Sequence, residues 1–361
     1  MTVSACLSLK GGFMQVLSEP EVKRLDITTL PKSELHLHLE GAIPPDVLLD
    51  LIRKYGDEDQ SLDSEQLAAR LTYTNFSHFL DTWRWMCRFV REPEDFTRIA
   101  EGVAKQLRTQ NVVYAECHFS PPDFLGHGLT ISQIAAAVRA GLDRIREPHV
   151  ALIIDLCRQY GPEQGQRWLA EVIEIAEDTG IIGIGLGGPE HLNPAGPYAE
   201  VFRAAEAHGL RRVAHAGEAA GPESIWAVLQ DLNVERIGHG TNAYLDYELM
   251  KYLRDRAIPV EVCPTSNVCT GVVASIEQHP VRQLFEFGIP ITLSSDDPTF
   301  FGTDIVSEYE LLREKFGFTD DELTQVARTG FEAAFMPPET KALLLDDFDD
   351  YRAKSFNSQP T

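Results

Sequence analysis

At 361 residues, with 43% hydrophobic and 24% charged residues, the chain has the composition of a soluble globular protein and the length to bury one large α/β core. A net charge of -23 argues against a nucleic-acid backbone or an anionic membrane surface as partner. No apolar run approaches a bilayer span, and the N-terminus lacks the basic start and apolar core of a secretory signal. The 6 cysteines have no CxxC spacing and several sit in apolar runs, which reads as reduced thiols in a cytoplasmic protein.

In chain order the first strong signal is SELHLHLEGAIPP, beginning at Ser33. Alternation along a strand puts Leu35, Leu37 and Leu39 on one face and His36 and His38 on the other. Such histidines either line a cavity as metal ligands or form a hydrogen-bonded pair at a strand end, and HxH alone does not separate the two. PPDVLLDLIRKYG has helical spacing, as do NFSHFLDTWRWMCRFV and EPEDFTRIAEGVAKQLRTQ. The aromatic part of the second fits a lid over a pocket or a helix packed on the body.

From there the pattern alternates. VVYAECHF, VALIIDLC, IIGIGLGG, RRVAHAGE, ERIGHG, IPVEVCPTSN and IPITLSSDD read as strands. Between them ISQIAAAVRAGLDRIRE, PEQGQRWLAEVIEIAEDTG, AGPYAEVFRAAEAHG, PESIWAVLQDLN, YLDYELMKYLRDRA and HPVRQLFEFG read as helices, many ending at glycine. Roughly eight short apolar strands alternating with helices predict a parallel sheet closed into a (β/α)8 TIM barrel. One domain over residues 1–361 is expected, with extra helices after strand 1 and beyond Thr319. A doubly wound dinucleotide-binding sheet is disfavoured, because the glycines of GIGLGGPE do not fit GxGxxG.

In such a barrel the chemistry sits at the C-terminal strand ends. Those ends carry His36 and His38, His215 and Glu218 in AHAGE, His239 in GHG, and Asp296 and Asp297 in SSDDP. Each alone has a plain structural explanation. Together they bring imidazole and carboxylate from unrelated strands to one rim, while His78, His127, His149, His191, His208 and His279 scatter over helices and loops. Three histidines and a carboxylate suit a zinc-like ion with a position open for water, whose pKa such an ion lowers from ~16 to ~7. His239 and Glu218 are the candidates for proton transfer. Of the paired aspartates, one can bind metal while the other faces substrate.

PKSELHLHLEGA, HAGE, RIGHG and SSDDP, in this order, resemble the adenosine/adenine deaminase branch of the amidohydrolase superfamily, with YAECHFSP and CPTSN in support. The resemblance runs from about Pro31 to near Tyr309. It implies a barrel enzyme that hydrolytically deaminates a 6-aminopurine nucleoside, such as adenosine or deoxyadenosine, with one Zn2+ per chain on His36, His38, His215 and Asp296. By the same resemblance His239 accepts a proton from the activated water and stabilises the attacking oxygen, while Glu218 presents a protonated carboxyl to purine N1. Asp297 meets N7, the Gly188 amide meets N3, and Glu40 stands near the sugar's 5′ end, with His38 bordering the substrate as well as the metal. The strand ends IIDLC and IGIGLGG offer no lysine to bridge a second metal.

Two residues depart from the adenosine-specific pattern. Glu40 replaces an aspartate, as in members acting on adenine or on 5′-altered adenosines including 6-aminodeoxyfutalosine. His118 replaces an arginine, which reads as an altered ribose pocket or as a structural replacement. Cytidine-type zinc deamination is disfavoured because the H-x-E…P-C-x-x-C ligand set is absent. An amidohydrolase cleaving another C–N bond and a non-catalytic nucleoside-binding protein are the competing readings, and the intact ligand set with Glu218 and His239 argues against the latter.

Overall fold

The computed structural model describes residues 24–56, 61–73 and 76–357. The N-terminal stretch read for targeting, with Cys6, lies outside the described residues. The strands are β1 (Lys32–His38), β2 (Val112–Phe119), β3 (His149–Asp155), β4 (Ile181–Gly185), β5 (Arg211–Ala216), β6 (Arg236–His239), β7 (Val260–Val262) and β8 (Ile291–Leu293). They form one 8-stranded sheet in sequence order, every neighbouring pair parallel. The sheet closes just past β8: His38 N–H donates to the Asp296 carbonyl at 3.0 Å, and Asp296 N–H donates to the His36 carbonyl at 3.2 Å. This is the expected (β/α)8 TIM barrel, and its seam holds both first-strand histidines against Asp296.

The helices lie where periodicity placed them. In Pro93–Thr109 the residues Phe96, Ile99, Ala100, Val103 and Leu107 recur at helical spacing and are all buried. Removing such a side chain from water contributes roughly 1.5–3 kcal/mol for the larger ones. The next helix, Ile131–Leu142, starts at a capping box in which the Thr130 hydroxyl accepts from Gln133 N–H and the Gln133 side chain accepts from Thr130 N–H. The extra helices after strand 1 are Pro45–Tyr55, Ser64–Arg70 and Phe76–Cys87, and Asp320–Ala333 and Pro338–Asn357 follow the barrel. IPVEVCPTSN differs from its expected reading as one strand. β7 stops at Val262 and Pro264–Cys269 is helical, with proline in the first turn, where no amide is needed for a ladder.

The lower barrel interior is charged. Arg236 is 1% exposed, donates through Nε to Glu261 Oε1 at 2.6 Å, and also pairs with the buried Glu116. Its Nη1 donates to the Ala333 carbonyl at 3.0 Å, and Phe335 N–H donates to Glu116. The chain leaving the Asp320–Ala333 helix is thereby tied to the barrel wall beneath the histidines.

Candidate active site and metal centre

Strand ends bring His36, His38, His215, His239, Glu218, Asp296 and Asp297 to one rim. All but His36 line a cavity of about 540 Å³, and His36 lies directly beneath, fully buried. His239 and Asp296 have left-handed backbones, φ 60 and φ 65, which non-glycine residues adopt only where the surroundings enforce it.

Three contacts define its centre. His38 Nε2 lies 3.1 Å from His215 Nε2 and 3.3 Å from Asp296 Oδ1, and His36 Nε2 lies 3.5 Å from Asp296 Oδ1. Ligands about 2.0–2.1 Å from a tetrahedral ion stand roughly 3.3–3.4 Å from one another, so these three separations match those found within a metal's ligand shell. The buried His36 Nε2 has no hydrogen-bond partner, another sign of a ligand atom facing an ion.

The set whose donor atoms all lie within 4.8 Å of one another is a different one, His36, His215, His239 and Asp296, in which His239 stands in place of His38. His239 is the poorer ligand, because its Nδ1 faces Asn267 Nδ2 at 3.2 Å and its Nε2 faces Glu218 Oε2 at 3.7 Å. The second grouping, His36 with His118 and Glu261, has its ligand atoms drawn into the 2.7 Å His36–Glu261 hydrogen bond, which leaves an ion no room between them.

The metal-facing nitrogens are set from behind. His36 Nδ1 bonds Glu261 Oε2 at 2.7 Å, and His38 Nδ1 faces Asp155 Oδ2 at 3.4 Å, leaving Nε2 of each ring forward. Burial would raise Glu261, but Arg236 and the His36 bond draw it down to about 2. Ser266 Oγ donates to the other oxygen of Asp296 at 2.6 Å. Burial opposes charge on His36 and His38, yet the facing carboxylates, Asp296 foremost, hold His36 well above the imidazole range and bring His38 to about 9. These rings are placed where positive charge is stabilised, and a divalent ion would supply it.

Glu218 and His239 are shifted in opposite directions. Burial, with the charges of Asp296 and Glu190, pushes the Glu218 carboxyl up to about 8. Burial takes His239 down to about 3, so it is neutral at physiological pH. Asp297 is raised well above the carboxylate range by burial and by the neighbouring Asp296 charge, and its Oδ1 is buried without a partner.

The remaining expected residues divide. Gly188 lines the cavity with φ 93, and a Cβ there would meet Gln159 Oε1 at 2.5 Å, so only glycine lets the backbone approach. Glu40 does not line the cavity. It lies behind Ser120, whose N–H donates to its Oε1 at 2.8 Å, and burial raises it to about 7. His118 is also behind the wall, its Nδ1 3.3 Å from Asp155 Oδ1, which favours the structural reading of that replacement. Phe79 and Trp83 line the cavity while stacking on Phe301 and Phe300, so their helix both covers the pocket and packs on the barrel.

Several contributors were not singled out from sequence. Glu190 accepts from Gly217, Glu218 and Ala220 N–H at 2.6, 3.2 and 3.0 Å, and so fixes the loop that carries Glu218. Its signal was the acid closing GLGGPE. Glu116 and Glu261 were visible as single carboxylates inside apolar strands. Asp155, Ser266, Asn267 and His279 complete the supporting shell.

The adenosine deaminase family model matches residues 31–351. The chain is 35% identical over 346 residues to an aminodeoxyfutalosine deaminase of Streptomyces coelicolor, covering 93% of this chain and 89% of that protein. It is 37% identical over 319 residues to an adenine deaminase of Rhizobium leguminosarum bv. trifolii, covering 88% and 98%. The crystal structure of an adenine deaminase from Arthrobacter aurescens superposes with a TM-score of 0.84 at 28% identity, covering 90% of this chain and 99% of that one. The chain belongs to the adenosine deaminase family and is a hydrolytic deaminase of the amidohydrolase superfamily.

Proposed function

We propose that this protein releases ammonia from C6 of a 6-aminopurine nucleoside, with one zinc ion per chain held by His36, His38, His215 and Asp296. The observation that carries the reading is the Glu218–His239 pair, 3.7 Å apart at the cavity floor with pKa values driven to opposite sides of neutrality. Zinc, when bound, supplies a nucleophilic hydroxide from water at neutral pH. Glu218 delivers a proton to N1, which makes C6 electrophilic. Asp297, whose protonated form burial and the adjacent Asp296 charge favour, donates to N7, an atom that only accepts. Gly188 offers its main-chain N–H to N3, and His239 stabilises the attacking oxygen. The recessed cavity, walled in part by Phe79, Trp83 and Phe301, limits the bulk water that reaches the polarised ring.

A second reading is a nucleoside extended at its 5′ end and terminating in an anion, such as 6-aminodeoxyfutalosine. It is favoured by Arg84 and Arg88, one helical turn apart, which line the same cavity whose floor is acidic. Arg84 pairs only with the exposed Asp81, at 2.9 Å, and Arg88 makes no ion pair among the described residues.

The test is ammonia release and ultraviolet loss of the 6-amino group on zinc-loaded protein given adenosine, deoxyadenosine, adenine and 6-aminodeoxyfutalosine side by side. Turnover of adenosine and deoxyadenosine above the others supports the first reading. Preference for the extended nucleoside, diminished by Arg88→Ala, supports the second. Preference for adenine, or turnover of none, overturns both.

A further inference from the structure

His279, one of the histidines that looked scattered in the sequence, lies behind the catalytic rim and is 4% exposed. It is linked to His239 through Asn267 of the CPTSN motif, and both are buried. The direction of every hydrogen bond in this link can be fixed from one end, because the link begins at a main-chain amide, which can only donate.

Val281 N–H donates to His279 Nδ1 at 3.2 Å. That nitrogen is therefore the acceptor, and neutral His279 carries its proton on Nε2. Burial holds His279 at about 4, consistent with the neutral ring. Nε2 lies 3.1 Å from Asn267 Oδ1, so it donates there, and the Thr241 hydroxyl donates to the same oxygen at 2.9 Å. Because the His279 Nε2–H can only donate, Oδ1 must face it, and the Asn267 amide cannot be turned round without losing that bond. Its Nδ2 faces His239 Nδ1 at 3.2 Å and donates to it. A ring nitrogen that accepts has no proton, so His239 carries its single proton on Nε2, the nitrogen pointing to Glu218 and the cavity.

We propose that Asn267 and His279 are positioning residues that lock His239 as its Nε2–H tautomer, so that it meets the attacking oxygen as a hydrogen-bond donor. This differs from the proton-accepting role that family resemblance implies for His239. It rests on the deamination reading only in what the oxygen is; the tautomer is a property of the protein alone. The proton that the attacking water gives up in becoming hydroxide is then held on the Glu218 carboxyl, which hands it to N1 as the C–O bond forms at C6 and is left as the carboxylate that takes the next water's proton. Water thus adds across N1 and C6 with no net change in His239.

The experiment is long-range 1H–15N correlation of the zinc-loaded protein labelled at its 11 histidines, with His239 assigned by His239→Gln. The expected spectrum has a pyrrole-type Nε2 and a pyridine-type Nδ1 for His239. Asn267→Asp, which offers Nδ1 an acceptor, should place a proton on Nδ1 and lower kcat about tenfold or more at unchanged zinc content. His279→Gln, whose amide N–H can replace Nε2–H toward Asn267, should keep the wild-type tautomer, and His279→Leu should give a mixture. A merely structural role would shift melting temperature in these variants without moving the proton. A proton on Nδ1 in the wild type, or an Asn267→Asp protein with the wild-type tautomer, overturns the proposal. If no 6-aminopurine is turned over, the function reading fails, and the spectra alone still decide the tautomer.

Discussion

In the proposed reaction Glu218 and His239 divide the chemistry because burial acts on opposite charges. It penalises the carboxylate and so raises Glu218 to about 8, and it penalises the imidazolium and so lowers His239 to about 3. The sign follows directly: Glu218 holds its proton below that value and loses it above, and a bound cation nearby draws the value down. kcat should therefore fall as pH rises along a limb at or below about 8. Glu218→Gln should lose about 10²–10⁴ in kcat with zinc retained, and a variant within tenfold of wild type would contradict the assignment. Asp155, whose two oxygens face His38 and His118, should act on the metal instead. Asp155→Asn should speed zinc loss to a chelator by about 10–100-fold; unchanged release would make the contact incidental. The residues proposed as ligands and acid–base pair could be picked out together in sequence because each closes a strand in a dense motif, and the structure brings them to one rim. Asp155, Asn267 and His279 could not, since nothing local tells which buried polar group lies behind which ring.

At the scale of elements, the site depends on what β6 leaves out. Gly238 pairs with His215 across the β5–β6 ladder, and a Cβ there would come within 2.8 Å of His36 Cε1 and 3.3 Å of His215 Cα. Gly238→Ala must therefore push the His36 ring or part the strands. Its expected cost is about 1–3 kcal/mol of stability, with zinc affinity at least tenfold lower, read by denaturant unfolding and competitive chelation. Wild-type affinity would mean that the rim is more compliant than its packing implies. Alternating apolar strands and helices gave the barrel away in sequence. The exception is CPTSN, where the reading carried β7 on past Val262 through polar residues, and the proline that opens its helix was the overlooked stop.

Across the whole molecule, Arg236 joins β2, β6 and β7 to the chain following the Asp320–Ala333 helix. Removing it leaves Glu116 and Glu261 as buried, uncompensated charges, and Glu261 is the carboxylate that orients His36. Arg236→Met should cost about 3–5 kcal/mol and lower metal affinity in the same protein, seen by calorimetric melting and metal analysis. Loss of neither would show that the C-terminal helices and the metal centre are independent. The sequence displayed these residues as isolated charges in apolar strands but could not pair them, because their separations of 25 and 120 residues are bridged only by the closed barrel.

The most direct test of a single metal serving Glu218 is a titration of chelator-stripped protein with zinc while ammonia release from a 6-aminopurine substrate is followed. Activity should be absent at the start, rise linearly, and saturate at one zinc per chain. Activity that survives stripping, or that requires a second equivalent, would contradict the assignment of His36, His38, His215 and Asp296 as one catalytic metal site.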